Sequence, residues 1–389
     1  ARLDSPRLDA VFLHNDGADA VENAVKLARH ATGKPNVIAM RGGYHGRSFG
    51  TMSLTSSKAV YRERFGPLLP GVHFAPFPDD GTDGRHRLFE RAATAVAAGT
   101  TTIASDWRQC IAALRDVLAT VSTPAETAAV VLEPVLGEGG YTPAPAAYVR
   151  ALRALCDEHD ILLILDEVQC GFGRAGGERL FAFEQQLPRG VTPDVLVVGK
   201  GVASGMPLSA VVTSARIAAR QAPGSMGGTF AAHPLACAAA RATLDVFEQE
   251  DVLVNATRRG EQLAERLRQT AARVGSDIVS DIRGAGAMLG VELRARRGAP
   301  SGALATAVAQ RCLRRDMLLL TCARNTLRFI PPLVATADHI DEAADIFDAA
   351  LDDVLREVAD VPRADAEVVT TPLTIDRVGF SDVYRAAAL

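Results

Sequence analysis

Lysine is almost absent from this chain. Only Lys26, Lys34, Lys58 and Lys200 occur, among 42 lysines and arginines in 389 residues. Arginine therefore meets the ordinary surface need for positive charge, and a lysine that ends an apolar run needs its own reason. Cysteine is sparse too. Cys110, Cys156, Cys170, Cys237, Cys312 and Cys322 show no C-x-x-C spacing, which gives no support to a zinc or disulfide framework and fits reduced thiols in the cytoplasm. The eight histidines form no H-E-x-x-H pattern, so no metal site is expected. No apolar run nears the roughly eighteen residues of a membrane span. With a net charge of -4 and no arginine cluster, nucleic acid is not an expected partner. The opening "ARLDSPRLDA" is charged too early for a signal peptide.

What is present suits a sizeable core, since 48% of the residues are apolar. "AAVVLEP", "ILLILDEV", "PDVLVVGK" and "PLSAVVTS" read as strands so uniformly apolar that both faces must be covered, which implies a parallel or mixed sheet between helices. Between the first two, "APAAYVRALRALCDEHD" places Tyr148, Leu152 and Leu155 on one helical stripe. A long helical region is expected from about Leu235 to "EQLAERLRQTAARV". The pattern then changes. "DIVSDIRGAGAMLGVELRA" reads as two strands around a glycine turn, and "NTLRFIPPL" as another strand. A last helix follows, with Ile340, Ala344, Ile346 and Leu351 as its stripe. The expectation is a large α/β domain over residues 1–275, a smaller α+β domain over 276–360, and a C-terminal arm over 361–389. "DDGTDGRHRLFERAATAVAAGTTTIASDW" reads as a surface excursion.

Ligands of open α/β sheets bind beyond the carboxyl ends of the strands. Here those ends carry Glu133, Asp166, Glu167 and Lys200. An acid and a lysine at neighbouring strand ends also suit a plain buried ion pair. The sharper reading is chemical. A desolvated lysine is an amine nucleophile that can form a Schiff base with an aldehyde. A carboxylate that keeps a pyridine nitrogen protonated makes the ring an electron sink. Lys200 and Asp166 are the pair that pyridoxal phosphate requires. Its phosphate needs an anion site, and Asn15-Asp16-Gly17 before a helix offers free N–H groups there, though an ordinary capping turn reads the same way. In "RGGYHGRSFG", Tyr44 can lie against a planar ring and Arg47 can clamp a carboxylate; a plain turn and a solvated arginine are the alternatives.

Taken in order, "DGADAVENAVKLAR", "GGYHGRS", "LEPVLGEGG", "ILLILDEVQCGFGR", "PDVLVVGKG", "GGTFAAHPLACAAA", "IRGAGAMLGVEL" and "LRFIPPL" resemble the class III aminotransferases, pyridoxal-phosphate enzymes of fold type I. The resemblance runs from Asn15 to about Leu351. It implies that Lys200 forms the Schiff base and shuttles the proton, and that Asp166 pairs with the pyridinium nitrogen. Val168 and Tyr44 would pack on the two ring faces, with Gln169 near the ring hydroxyl. Gly17 and Ala18 would bind the phosphate through their amides. Thr229 would reach the phosphate of a partner subunit, which implies a homodimer. His45 would support the tyrosine loop, and Glu133 would lie close to cofactor and substrate. Arg328 would hold the α-carboxylate of glutamate or 2-oxoglutarate. Glu138 would cover Arg328 when an ω-amine donor occupies the site, and Arg47 would receive a distal carboxylate. The implied activity is ping-pong transamination from an ω-amine or amino acid donor, 4-aminobutyrate-like favoured, to a 2-oxo acid, 2-oxoglutarate favoured.

The sequence also departs from the family. Sixteen residues precede Gly17, where relatives usually have more. Asp16 puts a carboxylate beside the expected phosphate, and Ala18 lacks the hydroxyl of some relatives. Three other readings stand beside transamination. One is a racemase, aminomutase or decarboxylase on the same fold, and another is a catalytically silent binding homologue. The third is a nicotinamide enzyme suggested by "RGAGAMLG", which lacks the strand–turn–helix context that fingerprint requires.

Overall fold

The computed structural model describes residues 8–78, 107–185, 191–294 and 301–360. The arm beyond residue 360 and most of the surface excursion lie outside the described residues. Along the chain come β1 (Ala10–His14), β2 (Asn36–Met40), β3 (Val72–Ala75), β4 (Thr127–Leu132), β5 (Val135–Leu136), β6 (Thr142–Pro143), β7 (Leu162–Asp166), β8 (Val195–Val198) and β9 (Ser209–Thr213). Seven of these form one sheet in the order β1-β9-β8-β7-β4-β2-β3, while β5 pairs with β6. Strands β3, β2, β4, β7 and β8 are parallel neighbours; β9 runs against both β8 and β1. The fold is therefore α/β around a mostly parallel sheet.

The period of two along each strand explains its apolar runs. Ile38, Val130, Leu132, Leu163 and Leu165 share one core with Leu114 of helix Trp107–Thr120 and with Tyr148, Leu152 and Leu155 of helix Ala146–Glu158. The intervening residues Val37, Val131, Ile164 and Val197 face the opposite core, against Ala20, Ala24, Leu27 and Ala28 of helix α1 (Gly17–Thr32). Both faces are covered, so neither needs polar side chains. Helix α1 starts where the Asp16 carboxylate accepts the Ala18 and Asp19 amides, and it stops at Gly33 in a left-handed conformation.

A second, antiparallel sheet has the order β10-β11-β13-β12, from β10 (Val279–Ala285), β11 (Met288–Leu293), β12 (Leu320–Cys322) and β13 (Thr326–Phe329). The expected long helical region before it is two helices, Pro234–Gln249 and Val252–Val274, because Asp251 turns left-handed between them. Leu263 and Leu267 of the later helix lie in the core of the second sheet, which thus reaches upstream of residue 275. In the final helix, Ala337–Asp360, the buried stripe is Ile340, Ala344, Phe347 and Leu351. Phe347 takes the place expected of Ile346, since steps of three and four residues stay on one helical face. Among the described residues, no helix is long and apolar enough to cross a membrane.

The glycines of "RGAGAMLG" serve the β10–β11 hairpin, and the chain continues from them as strand rather than helix. Gly286 turns left-handed at φ 54° and lies under helix Val252–Val274, where a Cβ on Gly260 would stand 2.2 Å from the Gly286 carbonyl oxygen. The obstacle is backbone and cannot rotate away. Gly260→Ala is therefore expected to destabilise the fold by about 1–3 kcal/mol, even though alanine improves helix propensity by about 1 kcal/mol. Urea unfolding checks this; an unchanged or raised midpoint would show that helix and hairpin are not in contact.

Candidate active site

The carboxyl ends of the parallel strands converge on one cleft. Glu133 follows β4, Asp166 ends β7, and Lys200 stands two residues beyond β8. The glycine loop that carries Tyr44 and His45 leaves β2 at the same end of the sheet. Lys200 opens a short 3₁₀ turn with φ 39°, a left-handed backbone that disfavours any residue but glycine and is typical of functional sites. Part of its side chain meets solvent. Protein nonetheless crowds the ammonium enough for burial to lower its pKa, against the opposing pull of Asp166 and then Glu133.

Asp166 is buried and held on both oxygens. Its Oδ2 lies 2.8 Å from His45 Nδ1, and its Oδ1 accepts the Val168 amide at 3.1 Å. Burial pulls the His45 pKa down, but the Asp166 hydrogen bond and charge, helped by Glu133, outweigh this and raise it. Glu133 accepts the amides of Tyr44 at 2.8 Å and Gly137 at 2.9 Å. It therefore ties the Tyr44 loop to the loop that follows β4. Burial pushes its pKa up to about 7, partly offset by His45 and those amides. The neighbouring Glu167 faces away from this group. It accepts the Ala182 and Phe183 amides at 2.6 and 2.7 Å, and burial raises its pKa to about 8.

At the start of α1 the expectation needs amendment. The Ala18 amide donates to Asp16 Oδ1 at 2.7 Å, so this carboxylate stands where a phosphate oxygen was expected. Gly17, at the first helical position, has an amide without a partner inside the helix. The helix start and Val168 are so close that a Cβ on Gly17 would stand 2.8 Å from Val168 Cγ1. Arg47 and Thr229 are both exposed, and neither side chain hydrogen-bonds another site residue among the described residues.

Glu138 and Arg328 meet, although 190 positions separate them in sequence; Arg328 Nη1 donates to Glu138 Oε1. Burial alone would lower the arginine's pKa, but the Glu138 charge and the weaker influence of Tyr141 raise it. Two residues missing from the sequence reading stand on the other oxygen. Tyr61 Oη lies 3.3 Å and Lys58 Nζ 3.9 Å from Glu138 Oε2. The Tyr61 ring also meets Tyr44 edge-on at 5.2 Å. The scarcity of lysine was the one available signal for Lys58; nothing local marks Tyr61.

These residues fit a phosphorylated pyridine aldehyde. Asp166 is a buried carboxylate for a ring nitrogen, Lys200 an amine for the aldehyde, and the Gly17 amide a donor for an anion. His45 Nε2 and Gln169 Oε1 are buried without a hydrogen-bond partner, so polar capacity at the site is unspent. The His45 bond also has a pH signature. Because His45 has a raised pKa in the fold, its contribution to stability is full below the unfolded value of about 6.5 and fades as pH rises through the folded value. The stability gap between wild type and His45→Asn is expected to narrow from pH 6 to pH 9 in urea titrations. A gap that widens would contradict the His45–Asp166 pairing.

Comparison with known proteins agrees with this chemistry. Residues 3–351 match the family described as aminotransferase class III. The chain is 38% identical over 340 residues to the 5-aminovalerate aminotransferase DavT of Pseudomonas putida, covering 87% of this chain and 73% of that protein. It is 37% identical over 355 residues to the 4-aminobutyrate aminotransferase GabT of Escherichia coli, covering 88% and 75%. Among solved structures it resembles a PLP-bound amine transaminase from an uncultivated Pseudomonas species, with TM-score 0.76, 32% identity, and 90% and 78% coverage. The mostly parallel sheet is that of fold type I, and the cofactor is pyridoxal phosphate, which Lys200, Asp166 and the start of α1 would hold. With its strand-end lysine and aspartate inside a family match of this length, the chain belongs to the class III aminotransferases.

Proposed function

We propose that this enzyme moves an amino group from an ω-amine or ω-amino acid, 4-aminobutyrate-like in shape, to 2-oxoglutarate, in two half-reactions that share one site. The Glu138–Arg328 pair beside Lys200 carries the reading. A half-buried guanidinium needs an anion at all times, because leaving it unpaired in a partly desolvated site is costly. Glu138 supplies that anion while the donor, which has no α-carboxylate, is bound. The α-carboxylate of 2-oxoglutarate supplies it in the second half-reaction, in the bidentate manner that suits arginine. Relatives named for 5-aminovalerate and 4-aminobutyrate support the donor class.

When bound, pyridoxal phosphate supplies an electron sink for the negative charge that develops beside the donated nitrogen. The protein does the rest. Asp166, oriented by His45, would keep a proton on the ring nitrogen. Lys200, its basicity lowered by burial, can lose and regain a proton at Nζ near neutral pH more readily than a surface lysine. Tyr44 and Val168 flank the ring position, Gln169 has a buried oxygen free for a ring substituent, and Arg47 meets the donor's distal carboxylate. Thr229 stands exposed and would serve the site of a second copy, in a homodimer. No disulfide joins cysteines among the described residues, which fits a cytoplasmic setting.

Glutamate formation from 2-oxoglutarate, scored over a panel of ω-amines, tests the assignment. Parallel double-reciprocal plots are expected. Lys200→Ala is expected to lose about a thousandfold or more in kcat without loss of fold; steady turnover by this variant would defeat the proposal. Arg328→Met is expected to raise KM for 2-oxoglutarate about tenfold or more while leaving KM for the ω-amine within about twofold. Equal change for both substrates would remove Arg328 from α-carboxylate binding.

A further inference from the structure

The alternation proposed for Arg328 leaves one charge unaccounted for. When an α-carboxylate takes the guanidinium, Glu138 must leave it, and the Glu138 side chain is only 12% exposed. A carboxylate displaced into a partly buried cleft without a partner is costly, and that cost would fall entirely on the α-carboxylate substrate. The structure already places partners on the far side. Glu138 divides its oxygens, Oε1 to Arg328 and Oε2 toward Tyr61 Oη at 3.3 Å and Lys58 Nζ at 3.9 Å.

We propose that Lys58 and Tyr61 form a second berth that receives the Glu138 carboxylate when substrate occupies Arg328, which makes them positioning residues for the choice between α-carboxylate and ω-amine substrates. The inference rests on the transaminase reading above and deepens it.

Local structure supports the assignment. Lys58 caps and Tyr61 ends a single 3₁₀ turn, Ala59–Tyr61, and the Tyr61 amide donates to the Lys58 carbonyl at 3.3 Å, which holds the two residues together. Both side chains therefore present to the same carboxylate. The segment is tied to the glycine loop before Tyr44: Ser56 and Ser57 donate their amides to the Gly43 carbonyl at 2.8 and 3.2 Å, and Ser56 Oγ accepts the Gly42 amide at 3.0 Å. The berth is thus fixed relative to the site. Burial and the Glu138 charge both raise the Tyr61 pKa, so its hydroxyl remains a donor. Lysine also suits the task. Its compact ammonium on a flexible stem can follow a moving carboxylate, whereas arginine's planar fork favours one bidentate geometry. In a chain with four lysines among 42 Lys and Arg residues, a lysine that faces the gating acid departs from the usual choice.

The test separates the half-reactions of the holoenzyme. In single turnovers, Lys58→Met is expected to weaken glutamate binding about tenfold or more and to leave 4-aminobutyrate within about twofold. Lys58→Arg should restore part of the loss. Tyr61→Phe, which keeps the ring and removes only the hydroxyl, should shift the same preference by a smaller factor and serves if Lys58→Met fails to fold. Calorimetric binding of glutarate, which has no amine to react, should fall in parallel with glutamate. A Glu138→Gln background should abolish the effect of Lys58→Met, since a neutral side chain needs no charged berth. Equal losses in both half-reactions, no loss in either, or an effect that persists beside Glu138→Gln would overturn the berth alone. A wild type that transfers no amino group to either substrate would overturn the proposed function and the berth together.

Discussion

The buried Asp166 carboxylate is the constraint around which the site is arranged. An ionised acid at the end of a central strand is tolerated only if nearby groups compensate it. His45 Nδ1, the Val168 amide and the charge of Lys200 do so, from three separate segments. Each partner then brings a neighbour with it. His45 carries Tyr44, whose amide is held by Glu133; Val168 lies against the start of α1; Lys200 lies on a left-handed turn past β8. Compensating one charge thereby gathers Tyr44, Val168 and the start of α1 in one place.

The second sheet enters through a different demand, the pairing of Arg328. Its carboxylate partner belongs to the loop before β6, and Arg283 of β10 donates to the Gly140 carbonyl in that same loop at 2.8 Å. Tyr141, Cys170, Ala285, Met288 and Cys322 form a small core that draws on residues near both sheets. Arg328 of the second sheet thus meets Glu138 in the loop before β6, while Asp166 and Lys200 lie at the carboxyl ends of central strands of the large sheet.

Much of this was legible in residue pattern. Apolar runs ending in Glu133, Asp166 and Lys200 marked strand ends, where the structure has these residues, because a doubly covered strand has no other place for a charge than its end. The helical stripe of Tyr148, Leu152 and Leu155 needed only its spacing. In the last helix spacing also favours Phe347, three residues beyond Ala344, over the expected Ile346, which lies only two beyond it and off the buried face. The break at Asp251 has a local mark, an aspartate of the kind favoured just before a helix, which the reading of one long helical region passed over. Asp16 was recognised as unusual, but its capture of the Ala18 amide depends on a side-chain orientation that composition does not specify.

Sequence alone pointed to the class of fold through residue type and local period and to the family through the order of its motifs, and it is that resemblance which implied a pairing of Glu138 with Arg328. Tertiary structure alone decided that Lys58 and Tyr61 answer the same Glu138 carboxylate. The meeting of Glu138 with Arg328 across 190 residues, and of Lys58 and Tyr61 with the same carboxylate, depends on how loops from separate elements are docked. Such contacts arise from non-local packing, and no periodicity along the chain encodes them.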